Sequence, residues 1–200
     1  MSANQAPSKQ CTGQNTVLNL GTKYEDGGRI YLRRLSAADV SQDYLDWFQD
    51  ETVTEFLDSR RLTREAVIEY IESGAAQRTH YMYGIFDADS CRHIGNIKIG
   101  PIQWNHLVSD LVCVIGAREF WGKGLAKEAI RLGNRVAFDV HGMRKVSGGI
   151  ASGNIGSIKA YTGAGWVIEA TMKGHHLING EPQDRVVVSC FNPKFFPERA

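Results

Sequence analysis

The sequence predicts an α/β fold: a mixed, mostly antiparallel central sheet of about six or seven strands flanked by helices. Three observations carry this expectation. Residues 111–138 read as strand, glycine turn and helix. Residues 111–115 are a continuous apolar run, and Leu125, Ala129, Leu132, Val136 and Ala137 then recur at helical spacing. Residues 81–86 and 94–99 are apolar runs separated by a polar tip at 87–93, the pattern of a hairpin. Residues 145–150 follow the central helix as another strand, which a right-handed crossover places parallel to the strand before that helix.

Two hundred residues are enough for one domain with a real core. The expected division is an arm over 1–28, flexible or loosely docked, a domain over 29–191 and an irregular tail over 192–200. The arm is polar, with Val17 and Leu18 as a candidate short edge strand. The formal net charge of +1 gives no footprint for nucleic acid or an anionic membrane. No apolar run reaches the ~20 residues that span a bilayer. Residues 1–17 lack the apolar core of a signal peptide, so a cytoplasmic location is expected. Cys11, Cys91, Cys113 and Cys190 form no Cys-x-x-Cys pair and read as free thiols in a reducing compartment. Cys113 and Cys190 fall in apolar strand patterns and read as small core residues. No cluster has metal-ligand spacing, so no metal is expected.

Taken in order, residues 29–35 form the first strand, with Ile30 and Leu32 on one face. Ser36 reads as an N-cap, with Asp39 placed as a capping-box acid. Its helix runs to about Gln49 on an apolar side of Val40, Tyr44, Trp47 and Phe48. Residues 51–61 are a charged connector with scattered aromatics. Thr63 caps a second helix to about Gly74, packed through Ala66, Tyr70 and Ile71. These two helices cover one side of the sheet. Residues 104–107 lead from the hairpin into the central strand, which three antiparallel strands therefore precede. Gly148 and Gly149 weaken strand 145–150 and imply close approach of another backbone. Residues 157–164 are a short helix ended by Gly165 as a left-handed cap. Strands 166–171 and 185–191 close the sheet, joined by a loop over 172–184.

The chemistry concentrates at two places. Gly122 and Gly124 leave the backbone bare just before the central helix. The first amides of that helix have no intrahelical acceptor, and its dipole puts partial positive charge there. The turn is therefore either a phosphate cradle, with Lys123 adding a full charge, or a plain connector. It is not a P-loop, because no Lys-Ser or Lys-Thr pair opens the helix. It is not a dinucleotide fingerprint, because Lys127 occupies the position that needs glycine or alanine. The second place is residues 154–166, NIGSIKAYTGAGW, where Asn154, Ser157, Tyr161, Gly165 and Trp166 stand at fixed offsets.

This pair of motifs resembles the GNAT acetyltransferase superfamily. Its signature is Gln/Arg-x-x-Gly-x-Gly/Ala at a strand-helix turn, followed about thirty residues later by Asn-x-x-Ser-x-x-x-Tyr-x-x-x-Gly-Phe/Trp. Gly124 and Ala126 match the first half, with Trp121 where Gln or Arg is usual, and the second half matches throughout. The Trp-Gly-Lys-Gly form and segment 44–58 are similar to the RimJ/RimL-like branch. That branch contains ribosomal-protein N-terminal, spermidine and amino-sugar acetyltransferases, and there the segment lies over the acceptor. The resemblance spans roughly residues 29–191. It implies acetyl-CoA as co-substrate, with the diphosphate on the backbone of Trp121, Gly122, Lys123, Gly124, Leu125 and Ala126. It also implies a central strand that splays from its neighbour and takes the pantetheine arm like an extra strand.

The reaction implied is acyl transfer from a thioester to an amine. An ammonium has no lone pair, so a base must take its proton, directly or through water. Asp110, near the start of the central strand, is either that base or a solubilising edge residue. His106, His175, His176 and Glu119 are the other candidates. The amides around Val114 and Ile115 are placed to hold the developing oxyanion if the strand splays. The leaving thiolate needs a proton, and Tyr161 stands at the superfamily position for that acid; from spacing alone it is as well a core aromatic. Asn154 is a helix N-cap, a pantetheine ligand or both. Ser157 caps or touches the coenzyme, and Lys159 faces outward on the same helix. The expected acceptor is a small-molecule primary amine, with a nucleotide-linked amino sugar as first choice. The alternatives are N-terminal acetylation of a protein and a non-catalytic acyl-CoA sensor. The expected assembly is a monomer or homodimer.

Overall fold

In the computed structural model, which describes residues 28–58 and 60–199, seven strands form one sheet. They are β1 (Ile30–Arg34), β2 (Tyr81–Asp87), β3 (His93–Gln103), β4 (Val108–Ile115), β5 (Lys145–Ala151), β6 (Val167–Ile178) and β7 (Glu181–Phe191). Their spatial order is β1-β2-β3-β4-β5-β7-β6, and every pairing is antiparallel except β4 with β5. The expected arm, with Val17 and Leu18, lies outside the described residues apart from Gly28.

Alternation along β3 and β4 divides their side chains between two faces. Ile97, Ile99 and Leu111 face α4 (Leu125–Arg135) and are fully buried. Gly133 permits that contact, since a Cβ there would lie 3.0 Å from Leu111 Cδ1. Asn96, Lys98, Val112 and Val114 share the opposite face with Met82, as the register requires. On that side lie α1 (Gln42–Trp47), α2 (Glu51–Thr54) and α3 (Arg64–Gln77).

The parallel pairing of β4 with β5 stops early. It joins Val108, Ser109 and Asp110 to Lys145, Val146 and Ser147, and then the strands separate. β5 stays paired with β7 through Ala151. The central strand therefore has an open edge from Leu111 onward.

Several sequence expectations are corrected. Ser36 starts only a 3-10 turn, Ala37–Asp39, where the Asp39 carboxylate accepts from Ser36 N and Oγ, each at 2.8 Å. Val40 leaves helical geometry, and Ser41 recaps α1 by accepting from Tyr44 N. The connector after α1 contains the short helix α2, capped by Asp50. α3 runs past Gly74, whose missing side chain makes room for His80; a Cβ there would sit 2.2 Å from that ring. The expected loop over 172–184 is a continuous hairpin of β6 and β7, turned at Asn179 and Gly180 with φ of 52° and 83°. Two successive positive φ values at Asn-Gly are what a tight hairpin turn requires. At Gly148 the nearest neighbour is a backbone atom, the Leu111 carbonyl oxygen at 3.6 Å from a built Cβ, whereas at Gly149 it is a side chain, Arg185 Nε at 1.9 Å.

Cys91 is disulfide-bonded, whereas Cys113 and Cys190 are free. Cys91 sits in the turn between β2 and β3, where no Cys-x-x-Cys motif announces a disulfide.

Candidate active site

The glycine turn follows directly from β4. After Ile115 a 3-10 turn, Arg118–Phe120, carries the chain to Gly122 and Gly124, with φ of +73° and +76°. Both values lie in the left-handed region that glycine adopts without strain. A Cβ at Gly122 would meet nothing within 4 Å, and at Gly124 only Arg29 Nη2 at 3.9 Å. Open space thus adjoins bare backbone at the positive end of α4, with Gly124 itself as N-cap. Leu125 is buried and anchors the helix, and Ala126 is half-buried beside it.

Three side chains hold this turn. The Trp121 indole donates to the Ile115 carbonyl at 2.7 Å, fastening the turn to the end of β4. Arg29 Nη1 donates to the Lys123 carbonyl at 2.8 Å. The same guanidinium pairs at 2.9 Å with Glu128, a buried carboxylate in the first turn of α4. The Lys123 ammonium lies 5.0 Å from the centre of the Phe120 ring. Sequence reasoning missed Arg29 and Glu128, which lie 99 positions apart.

The second motif meets β4 at its open edge. Asn154 caps α5 (Ile155–Gly163), its Oδ1 accepting from Ser157 N at 3.1 Å, which leaves the Asn154 amide nitrogen free of the capping bond. Tyr161 is buried, and its hydroxyl donates to the Leu111 carbonyl at 2.9 Å and accepts from Cys113 N at 3.1 Å. Trp166 braces it edge-on at 4.8 Å, and its own indole donates to Asn134 Oδ1 at 3.0 Å. Burial pushes the Tyr161 phenol well above its ordinary pKa. Lys159 is exposed on the same helix.

Backbone alternation decides which β4 amides face the opening. Cys113 N and Leu111 O point to Tyr161, so Ile115 N shares their direction. Val114 is turned the other way, into the ladder with Asn96. Of the two amides singled out from sequence, only that of Ile115 faces the open edge.

A cavity of about 600 Å³ runs through this opening. It is lined at the opening by Cys113, Val114, Gly149, Asn154, Ser157 and Tyr161. Beneath α1 and α3 it is floored by Met82, Asn96, Lys98 and Val112, and His176 to Asn179 of the hairpin reach over it. The structure thus brings Val114, Asn154, Ser157 and Tyr161 together, and residues 121–126 follow the same C-terminal end of β4, outside the cavity lining.

The base candidates separate. Asp110 stands one step of alternation before Val112 on the cavity face, and burial raises its carboxyl pKa against the pull of Arg185 and Lys98. His176 lines the cavity, and its Nε2 is buried without a partner. Burial lowers its pKa, with Arg185 and His175 adding to the effect and Asp58 opposing it, which favours the neutral imidazole. His175 turns away to Arg185 Nη1 at 3.3 Å. His106 is exposed in the turn before β4, and Glu119 is exposed and paired with Arg92. Among the described residues no three His, Cys, Asp or Glu side chains gather as metal ligands, and no helix is long and apolar enough to cross a membrane.

Comparisons with known proteins bear on the family and the fold. The sequence matches the domain described as acetyltransferase (GNAT) over residues 29–167. A protein of Bacillus subtilis (strain 168) named probable N-acetyltransferase YjcK is 26% identical over 175 residues, covering 84% of this chain and 96% of that protein. The spermidine N-acetyltransferase of Vibrio cholerae, solved with CoA and spermine, has a TM-score of 0.76 at 19% identity over 84% of this chain and 99% of that one. The ribosomal-protein-S5-alanine acetyltransferase of Vibrio fischeri has a TM-score of 0.73 at 16% identity over 84% of this chain and 95% of that one.

Proposed function

This chain belongs to the GNAT acetyltransferase family, and from that premise we propose that it acetylates a primary amine of a small molecule by direct attack. Acetyl-CoA supplies the activated acetyl group. The observation that carries this reading is the opening of β4 from β5 after Asp110, through which the cavity runs. A sheet edge opened beside a pocket can hold one extended ligand and still admit a second.

The chain's residues divide the work. The amides at 122–126 and the positive end of α4 take the diphosphate, and the open space beside Gly122 and Gly124 fits such a group. Asn154 and Ser157 line the passage toward the cavity. The amine enters from the α1–α3 side as an ammonium and loses its proton there. His176 is the better placed base, because it lines the cavity and its Nε2 has no hydrogen-bond partner. Asp110 is the second, its raised pKa making it a stronger base than an ordinary carboxylate. The amine nitrogen then bonds to the acetyl carbon, and the carbon–sulfur bond breaks. The Ile115 amide faces the edge where negative charge develops on the carbonyl oxygen. The Tyr161 hydroxyl, held at the same edge, supplies the hydrogen bond and proton for the departing sulfur.

A thiol-release assay of the purified protein with acetyl-CoA and a panel of amines tests this. The panel holds amino sugars, nucleotide-linked amino sugars, polyamines and short peptides. Release with a small amine is the expected result. Release with peptides alone would make the protein an N-terminal acetyltransferase. Binding of acetyl-CoA without release to any amine would make it a sensor.

A further inference from the structure

The cavity floor carries two hydrogen-bond donors with no partner among the described residues. Asn96 is 4% exposed, lines the cavity, and its Nδ2 has no partner. The direction of that amide is set by a neighbour. His93 Nε2 lies 2.9 Å from the Gly95 carbonyl and 3.0 Å from Asn96 Oδ1. A carbonyl oxygen can only accept, so Nε2 bears the hydrogen, and the Asn96 atom facing it is then the oxygen. The Asn96 Nδ2 is then the atom left without a partner, in a residue that lines the cavity. The His93 ring is itself clamped, stacked on Phe86 at 4.8 Å and edge-on to Trp47 at 5.0 Å.

Lys98 stands two residues on, on the same face of β3, half-buried and lining the same cavity. It forms no ion pair within 4.0 Å among the described residues. Asp110 and Arg185 are its charged neighbours near the floor, and Glu55, Asp58 and Arg60 stand exposed at the rim. The rim thus carries both signs of charge, while the floor of β3 presents only donors. A buried donor left unmade is costly, and a half-buried ammonium with no ion pair within 4.0 Å among the described residues is only partly compensated. Both are relieved by a ligand bearing oxygen acceptors with negative charge. A polyamine would instead bring ammonium groups against Lys98.

We infer that the acceptor is an amine that also carries anionic oxygens, a carboxylate or a phosphate, docked on Asn96 Nδ2 and the Lys98 ammonium. The inference rests on the acetyltransferase reading above and adds the substrate class. Asn96 and Lys98 are then specificity residues, and His93 is a positioning residue that acts through Asn96.

The test compares kcat/KM for matched amines in the thiol-release assay: an amino acid against its amide, and an amino-sugar phosphate or nucleotide-linked amino sugar against the free amino sugar. The first pair reads a carboxylate and the second a phosphate. The anionic member of at least one pair is expected to win by about tenfold or more, the scale of one charge-assisted hydrogen bond. Lys98→Met should bring that ratio to within about threefold, and Asn96→Leu should raise KM for the anionic amine more than it lowers kcat. Acetyl-CoA affinity by calorimetry checks that each variant is folded. Equal use of both members of each pair, preference for spermidine, or an unchanged ratio in Lys98→Met would overturn the inference alone. Absence of release with every amine would overturn the acetyltransferase reading and this inference with it.

Discussion

Replacing Tyr161 with Phe removes one hydroxyl that has two jobs. In the fold it bridges Leu111 O and Cys113 N across the open edge of β4, at 2.9 and 3.1 Å. Each such bond is worth about 1 kcal/mol net, and water can enter the opening to replace part of the loss, so the variant should lose about 1–2 kcal/mol. For a chain of this length that lowers Tm by about 2–8 °C. In catalysis the same hydroxyl is assigned to the departing sulfur, and losing a positioned acid typically costs about a hundredfold or more in kcat. The ring remains wedged against Trp166, so KM for acetyl-CoA should change little. Circular dichroism melting and the thiol-release assay read the two effects separately. Full kcat in Tyr161→Phe would refute the assignment to the sulfur. An unchanged Tm would refute the argument that the hydroxyl bridges the strand edge.

Gly124→Val should weaken acetyl-CoA binding by about tenfold or more, because a β-branched residue at φ +76° is strained and its side chain enters the space beside the turn. Unchanged affinity on titration would remove the cradle from that turn. Arg29→Ala leaves the buried Glu128 carboxylate without its cation and frees the Lys123 carbonyl, so chemical denaturation should show a loss of about 2–3 kcal/mol, below the full cost for a deeply buried pair because Arg29 is half exposed. His141 is half-buried, stacked on Tyr81 and bonded to the Tyr83 hydroxyl, and its pKa is lowered from 6.5 to about 4 by burial, with Arg34 adding to the effect. The unfolded chain takes up a proton near 6.5 and the folded chain only near 4, so stability is full above pH 6.5 and falls as pH drops toward 4. Melting curves across that window should flatten in His141→Gln, in part only, since His80, His93 and His176 are shifted in the same direction.

Local chemistry was legible where one short stretch determines its own conformation. The change of period at Leu125 marks the start of α4, because glycines before a helix and an apolar stripe within it act over a few residues. Thr63 and Asn154 announce helix starts for the same reason, although the helix capped by Asn154 was first read as beginning at Ser157. The Asn179-Gly180 turn carries an equally local signal, yet residues 172–178 beside it lack a legible strand pattern. β6 is exposed along nearly its whole length and so shows no alternation between apolar and polar residues.

By itself the sequence determined the glycine turn, the capped α5 and a central parallel step after antiparallel strands. Each follows from backbone preferences and hydrophobic spacing within a window of residues. Only the tertiary structure decided that β4 parts from β5 after Asp110, that Trp121 and Arg29 fasten the glycine turn, and that Asn96 lines the cavity with its Nδ2 unpartnered. Those facts depend on which atoms of distant segments come within 3 Å of one another, and distance in space is not written in the spacing of residues along a chain.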